Sequence, residues 1–273
     1  MADKISLAGD LGSGKSTVAD ILINRLGMKY YSTGAIVRSI AAQHGMSVVE
    51  LNVYMETHPE IDHEIDNGLV ELGKSDEPMI IDSRMAWHFT EGTFKVYLST
   101  DVETSALRIM GANRQGEHAA TLEQTVSDTK ARRESEKKRY KAQYGVDIKD
   151  LSNYTLIVDT TVATPDQVAD CIIAALEKWK SDPDYKAVYI SGERLNYPDD
   201  EPDGEKIAYY SSILEESDDI PEVKIFEEDG EFFVAEAPEA ALAQAFSDAP
   251  FFRASLVKGS LDGKKYVKMK NSL

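Results

Sequence analysis

Gly9-Asp10-Leu11-Gly12-Ser13-Gly14-Lys15-Ser16 fills the pattern G-x-x-x-x-G-K-[ST] and is followed by Thr17. It starts after the apolar-alternating run Ile5–Ala8 and leads into a helical pattern from Thr17 to Leu26. Strand, glycine loop and helix in that order turn the pattern into a phosphate site. Glycines let backbone N–H groups close on phosphate oxygens without a side chain in the way. The positive end of the new helix points to the same place. Lys15 is placed to reach the β- and γ-phosphates of ATP, and the Ser16 hydroxyl to sit on Mg²⁺.

Three further clusters could act on what this loop binds. Ser32-Thr33-Gly34 precedes Arg38 by about one helical turn, which suits an acceptor phosphate and equally suits a capped helix with a solvated arginine. Asp82 ends the apolar run Met79-Ile80-Ile81, where a carboxylate in a phosphate-loop protein can hold Mg²⁺; it could instead cap a helix before Met85-Ala86-Trp87. Arg84 would then point into the same cleft, its planar fork suited to phosphate. The run Lys130–Tyr140 reads on a generic helix as a solvated charged face. Yet Arg132 and Arg139 share a face, and Arg132 can pair with Glu136. Arginines on a mobile helix stabilise charge on a transferred phosphoryl group.

These residues need a scaffold, and the sequence outlines one. Strand signals fall at Ile5–Ala8, Lys29–Ser32, Met79–Asp82, Phe94–Leu98 and Thr155–Val158. Helical patterns fill the gaps, as at Ala35–His44, Glu103–Met110 and Asp166–Trp179. Such alternation implies an α/β protein whose parallel sheet is covered on both faces. Lys180–Asp184 reads as a linker, predicting one domain over 1–180 and a second over 181–273. In the second, Val223–Glu227 and Glu231–Val234 flank an Asp229-Gly230 hairpin turn, Ala237–Phe246 looks helical, and Phe251–Val257 and Lys265–Met269 could be strands. Asp199–Asp203 reads as a loop. This makes a small α+β domain.

Composition narrows the function classes. The 273 residues are 42% hydrophobic and 29% charged, with a formal net charge of −18. Residues 181–273 hold 21 acidic against 10 basic side chains, a net of −11. Duplex binding needs a basic surface, so a general nucleic-acid binder is not expected, although a local basic pocket is compatible with this charge. The single cysteine, Cys171, excludes an internal disulfide and fits a reducing compartment. No apolar run reaches membrane-span length, and Asp3 with the phosphate strand leaves no room for a signal peptide. A cytoplasmic protein is expected.

Taken together, the chain resembles the cytidylate kinase family, in its short archaeal-type branch, over roughly residues 3–178. The resemblance rests on Gly9–Thr17, Ser32-Thr33-Gly34 with Arg38, Gly45-Met46-Ser47, His58–Asp62, Ile81–Trp87, Arg132–Tyr140, Tyr144–Tyr154 and Val158-Asp159-Thr160-Thr161. It implies a nucleoside monophosphate kinase fold of the P-loop NTPase class, with a five-stranded parallel sheet, a monophosphate-binding helical insert and a closing lid. The implied reaction moves the γ-phosphate of ATP to CMP or dCMP. Carried over by position, Gly9, Asp10, Leu11, Gly12, Ser13, Gly14, Lys15, Ser16 and Thr17 would bind ATP, with Ser16 and Asp82 at Mg²⁺. Ser32, Arg38 and Arg84 would hold the acceptor phosphate, Asp147 would face the acceptor nucleoside, and Arg132 and Arg139 would close with the lid.

Some positions depart from the family pattern. It usually has an acid where this chain has Ala35 and glycine where it has Ser83, so another small acceptor stays open. The segment Gly111–Thr121, with Asn113, Gln115 and His118, is loosened at the lid's entrance. The C-terminal order of strand, hairpin, strand and helix faintly resembles the ParB/sulfiredoxin-like fold, without its glycine and arginine signature; Glu236-Ala237-Pro238-Glu239 stands there. This acidic region is expected to engage a protein partner or to be a structural appendage. A further alternative is an ATP-binding switch that signals through it.

Overall fold

The strand that feeds the glycine loop is buried along its whole length. In a computed structural model, which describes residues 3–55, 57–111, 121–214 and 220–268, β1 (Lys4–Gly9) runs through the middle of a sheet. The loop that follows hands over to α1 (Lys15–Leu26). Gly14 precedes that helix at φ 79° and Gly27 ends it at φ 64°, both left-handed conformations that glycine adopts without steric cost. The helix therefore begins at Lys15, two residues before the periodic pattern becomes visible. The chain continues as β2 (Lys29–Ser32), α2 (Thr33–Gln43), α3 (Val48–Met55), α4 (Pro59–Gly73), β3 (Met79–Asp82), the short α5 (Ala86–Phe89), β4 (Phe94–Ser99), α6 (Val102–Gly111), α7 (Leu122–Tyr144), β5 (Leu156–Asp159) and α8 (Pro165–Ser181). Asn113, Gln115 and His118 lie outside the described residues. A Thr164–Gln167 capping box with Pro165 in the first turn fixes the start of α8.

The strands of this part run β2-β3-β1-β4-β5, all parallel, as the alternation of strand and helix signals predicts. Crossover helices cover both faces, so β1, β4 and β5 are apolar and buried. On one face Ile5, Leu7, Phe94 and Leu156 pack against Leu22 of α1 and Ile172 and Leu176 of α8. The carboxyl ends of β1, β3, β4 and β5 meet at the phosphate loop, where open α/β sheets bind ligands.

Beyond α8 come β6 (Ala187–Ile190), β7 (Leu195–Pro198), α9 (Gly204–Leu214), β8 (Lys224–Glu228), β9 (Glu231–Glu236), α10 (Pro238–Ala245), β10 (Phe252–Leu256) and β11 (Tyr266–Lys268). The Asp229-Gly230 hairpin, α10, β10 and β11 fall where the sequence places them, with Met269 outside the described residues. β6, β7 and α9 are not anticipated. The two strands have four residues each, too few to show alternation, and α9 buries no residue and so carries no apolar stripe. β6 lies parallel beside β5, with Leu156 opposite Ala187 and Val158 opposite Tyr189. β10 then joins antiparallel to β6, and β8, β9, β7 and β11 follow, so one sheet of eleven strands crosses the molecule among the described residues. Apolar clusters on both sides of the sheet continue past residue 180: Leu176 packs in one with Tyr185 and Ala187, and Tyr97 and Ile157 share another with Val188, Ile225 and Phe232. Among the described residues no helix is long and apolar enough to cross a membrane.

Leu22 has no exposed surface and sits between α1 and the sheet. Leu22→Ala is expected to lower unfolding free energy by about 2–5 kcal/mol, measured by urea denaturation.

Candidate active site

The loop backbone leaves no space for side chains at two glycines. A Cβ on Gly9 (φ 152°) would lie 2.4 Å from the Leu98 carbonyl oxygen, and one on Gly12 (φ 71°) 2.6 Å from that of Ser105. The loop is thus pressed against the end of β4 and the first turn of α6. Ser13 Oγ donates to the Asp10 carbonyl at 2.8 Å. Lys15 Nζ donates to the carbonyls of Gly9 (3.0 Å) and Asp10 (2.8 Å), which centres its charge in the loop. Burial brings the Lys15 pKa down to about 8, opposed mainly by the nearby Asp82 carboxylate. Ser16 and Thr17 are exposed in the first turn of α1.

Asp10 is the unusual member of this loop. Its carboxylate is buried, accepts from Tyr97 Oη (2.9 Å) and from the Thr100 backbone N–H (3.1 Å), and pairs directly with Lys149. Arg133 Nη2 lies 3.7 Å away. Burial alone would push this carboxyl up, but Lys149 and then Arg133 outweigh it and hold it well below the usual carboxylate range. The Arg133 Nε and Nη2 atoms are buried with no hydrogen-bond partner among the described residues. Arg133, Lys149, Arg84 and Glu136 line one small cavity with Gly9, Asp10 and Leu11.

A second carboxylate organises the arginines on α7. Glu136 accepts from Arg84 Nε at 2.6 Å and from Arg132 Nε at 3.2 Å. Burial raises its pKa, but Arg84 and Arg132 outweigh it, so it is held below the usual range. The Arg132–Glu136 pair expected from i, i+4 spacing is therefore present, and it brings Arg84 with it. Arg139 turns to α4: its Nε is 3.9 Å from Asp62, and its guanidinium lies over the Tyr140 ring at 5.1 Å. Tyr144 Oη donates to Asp66, whose pKa burial pushes up to about 6. The insert helix α4 and the basic helix α7 thus meet through two carboxylate contacts.

The remaining sequence-predicted residues are placed less uniformly. Asp82 accepts from Tyr30 Oη at 2.9 Å and does not cap a helix. Ser83 Oγ accepts from the Met85 N–H at 3.2 Å, just before α5, which has no side-chain cap. Ser32 is the N-cap of α2, its hydroxyl accepting from Ala35 N–H at 3.4 Å. Arg38 is exposed, its Nη1 3.5 Å from where a Cβ on Gly34 would stand. Asp147 is not among the residues lining the cavity; it faces Lys137 Nζ at 3.9 Å and accepts from the Lys149 N–H at 2.9 Å.

Residues 4–162 match the family described as the cytidylate kinase-like family. The chain belongs to that family. It is 34% identical over 184 residues to a cytidylate kinase of Archaeoglobus fulgidus, covering 67% of this chain and 99% of that protein. With a cytidylate kinase of Methanothrix thermoacetophila it shares 40% identity over 156 residues, 57% of this chain and 87% of the relative. A cytidylate kinase of Sulfurisphaera tokodaii is 37% identical over 175 residues, covering 63% and 94%. Kinase membership implies ATP as a substrate.

Within this family member, Arg133, Lys149 and Tyr97 are the site residues that sequence reading misses. Arg132 and Arg139 draw attention by sharing a helix face, while Arg133 lies about 100° further round. The available signal was Asp10 itself: a carboxylate in a closed loop requires a cation from elsewhere in the chain, though its position does not say which one.

Because Lys15 titrates near 8, ATP affinity has a predicted alkaline limb. Below that pH the protonated amine attracts the triphosphate; above it the charge is lost and the dissociation constant rises. Calorimetric titration across pH 7–10 should show the rise in the native chain and not in Lys15→Arg, whose charge persists.

Proposed function

We propose that this protein transfers the γ-phosphate of ATP to a cytidine monophosphate, CMP or dCMP. The observation carrying this reading is the meeting of Arg84 and Arg133 with loop residues Gly9–Leu11 in one cavity, with the Lys15 amine within electrostatic reach of Arg84, in a chain of the cytidylate kinase-like family. The loop residues Gly9–Thr17 would bind the triphosphate. Arg84, with the exposed Arg38 of α2, would hold the acceptor phosphate; Ser32 would act by ordering the start of α2, and Asp147 by placing the turn that carries Lys149. Arg132 and Arg139 would move with α7 as it closes over the reactants.

The acceptor is already an anionic phosphate, so no strong general base is needed. Positioning and charge neutralisation supply the rate. Closure of α7 would keep water from the γ-phosphate. Ser16 and Asp82 offer a hydroxyl and a carboxylate, the hard oxygen donors that suit Mg²⁺. When bound there, the metal would neutralise charge on the triphosphate. We also propose a cytoplasmic setting, and that 1–180 carries the transfer while the acidic surface of 181–273 is available to a protein partner.

A coupled assay of ADP release over a panel of nucleoside monophosphates tests the reading. CMP or dCMP should give the highest kcat/KM; stimulation by none of the pyrimidine monophosphates would sink it. Lys15→Ala should cost at least about 100-fold in kcat. Arg84→Ala should raise the acceptor KM more than the ATP KM, and equal effects on both would contradict its assignment.

A further inference from the structure

The family match ends at residue 162, yet a side chain from beyond it is buried against the carboxyl ends of β4 and β5. Arg194, 5% exposed, follows β6 and precedes β7. Its Nη2 is 3.4 Å from Ser99 Oγ at the end of β4 and 3.4 Å from the Gly230 carbonyl in the β8–β9 turn. Its Nε is 4.0 Å from Asp159 at the end of β5, and its guanidinium packs over the Phe232 ring at 5.5 Å. The Asp159 side chain is wholly buried. Its other carboxylate oxygen accepts from the Ser191 N–H at 3.2 Å, also contributed by the C-terminal region.

What this carboxylate orders leads straight to the loop. Asp159 Oδ1 accepts from the Thr161 N–H (3.2 Å) and hydroxyl (2.6 Å), which sets the turn containing Thr160. Thr160 Oγ1 lies 3.1 Å from the Ser13 carbonyl oxygen and the same distance from that of Ser99. Ser13 stands inside Gly9–Thr17. Arg194 faces Asp159 as a buried charge contact, its Nε making no hydrogen bond among the described residues, and from Asp159 hydrogen bonds lead through the Thr160 turn to Ser13. A buried carboxylate left without its cation must change protonation or move, and the turn it orders would move with it.

We propose that Arg194 is a positioning residue for the phosphate loop, so that the region beyond residue 180 contributes to triphosphate binding without touching the nucleotide. The inference rests on the reading of Gly9–Thr17 as an ATP site. It assigns residues 191–194 and the β8–β9 turn a role in the donor half of the cleft, separate from the acceptor half near Arg84.

The test uses the full chain, with ATP dissociation constants from calorimetry and separate KM values for ATP and acceptor. Arg194→Met should weaken ATP binding at least about fivefold while the acceptor KM stays at its native value. Adding Asp159→Asn to Arg194→Met should recover part of the loss, because the unpaired carboxylate is gone. Arg194→Lys keeps a charge but lacks the fork that faces Asp159 through Nε while Nη2 reaches Ser99 and Gly230, so it should fall between the native chain and the methionine variant. If Arg194→Met does not fold, Arg194→Lys decides: native ATP affinity there overturns the proposal. Native affinity in a folded Arg194→Met, or a lowered melting temperature with both KM values unchanged, assigns Arg194 to stability alone and also overturns it. A native chain that binds no ATP would overturn both this inference and the functional reading beneath it.

Discussion

A negative charge stands at the second position of a loop built to receive anions. Asp10 would oppose phosphate binding and would be costly to bury unless cations and N–H groups surrounded it. Lys149, Arg133, Tyr97 and the Thr100 N–H meet that requirement, and they arrive from four separate places: the turn after α7, the middle of α7, β4 and the segment after β4. Satisfying one carboxylate therefore fixes where the basic helix, the segment leaving it and the end of the central strand can lie. The immediate balance is still favourable to phosphate, because Lys149, Arg133 and Lys15 together exceed the one acid.

Glu136 repeats this arrangement between the end of β3 and α7. It joins Arg84, anchored at the end of β3, to Arg132 on α7. Both carboxylates hold cationic side chains in place before any phosphate arrives, which reduces the ordering those side chains would otherwise undergo during binding. The same contacts tie α7 to the sheet, and Asp62 and Asp66 tie it to α4. Charge pairing, rather than an apolar stripe, positions this helix; its buried residues are Thr125, Thr129 and Glu136.

The sequence reveals the parts whose local chemistry is self-sufficient. The glycine loop, the five parallel strands and the hairpin at Asp229-Gly230 carry their own signals in turn residues and apolar runs. The Arg132–Glu136 pair follows from helical spacing alone. Contacts between distant segments are less visible. Nothing local to Lys149 says that it meets Asp10 across the chain, and nothing local to Arg194 says that it reaches Asp159. Ser32 looks like a ligand for phosphate from its position, but its hydroxyl is engaged by the backbone at the start of α2. β6 escapes notice because four residues between a helix end and a polar turn offer too little pattern, although its pairing with β5 is what joins the two halves of the sheet.

That pairing has a consequence for how the chain tolerates shortening. β5 reads Leu156-Ile157-Val158-Asp159 and is buried throughout, with β6 satisfying its outer hydrogen-bonding edge. A chain ending at α8 would present this strand as an open, apolar margin, the form of edge that pairs with other molecules and aggregates. Among the described residues the sheet instead runs on from β5 to β11, three residues long and carrying a lysine, while its other margin is β2, four residues long with Lys29 at its start. The C-terminal strands move the boundary of the sheet from a sequence prone to self-association to ones that are short and charged, and solubility becomes a property of the whole polypeptide.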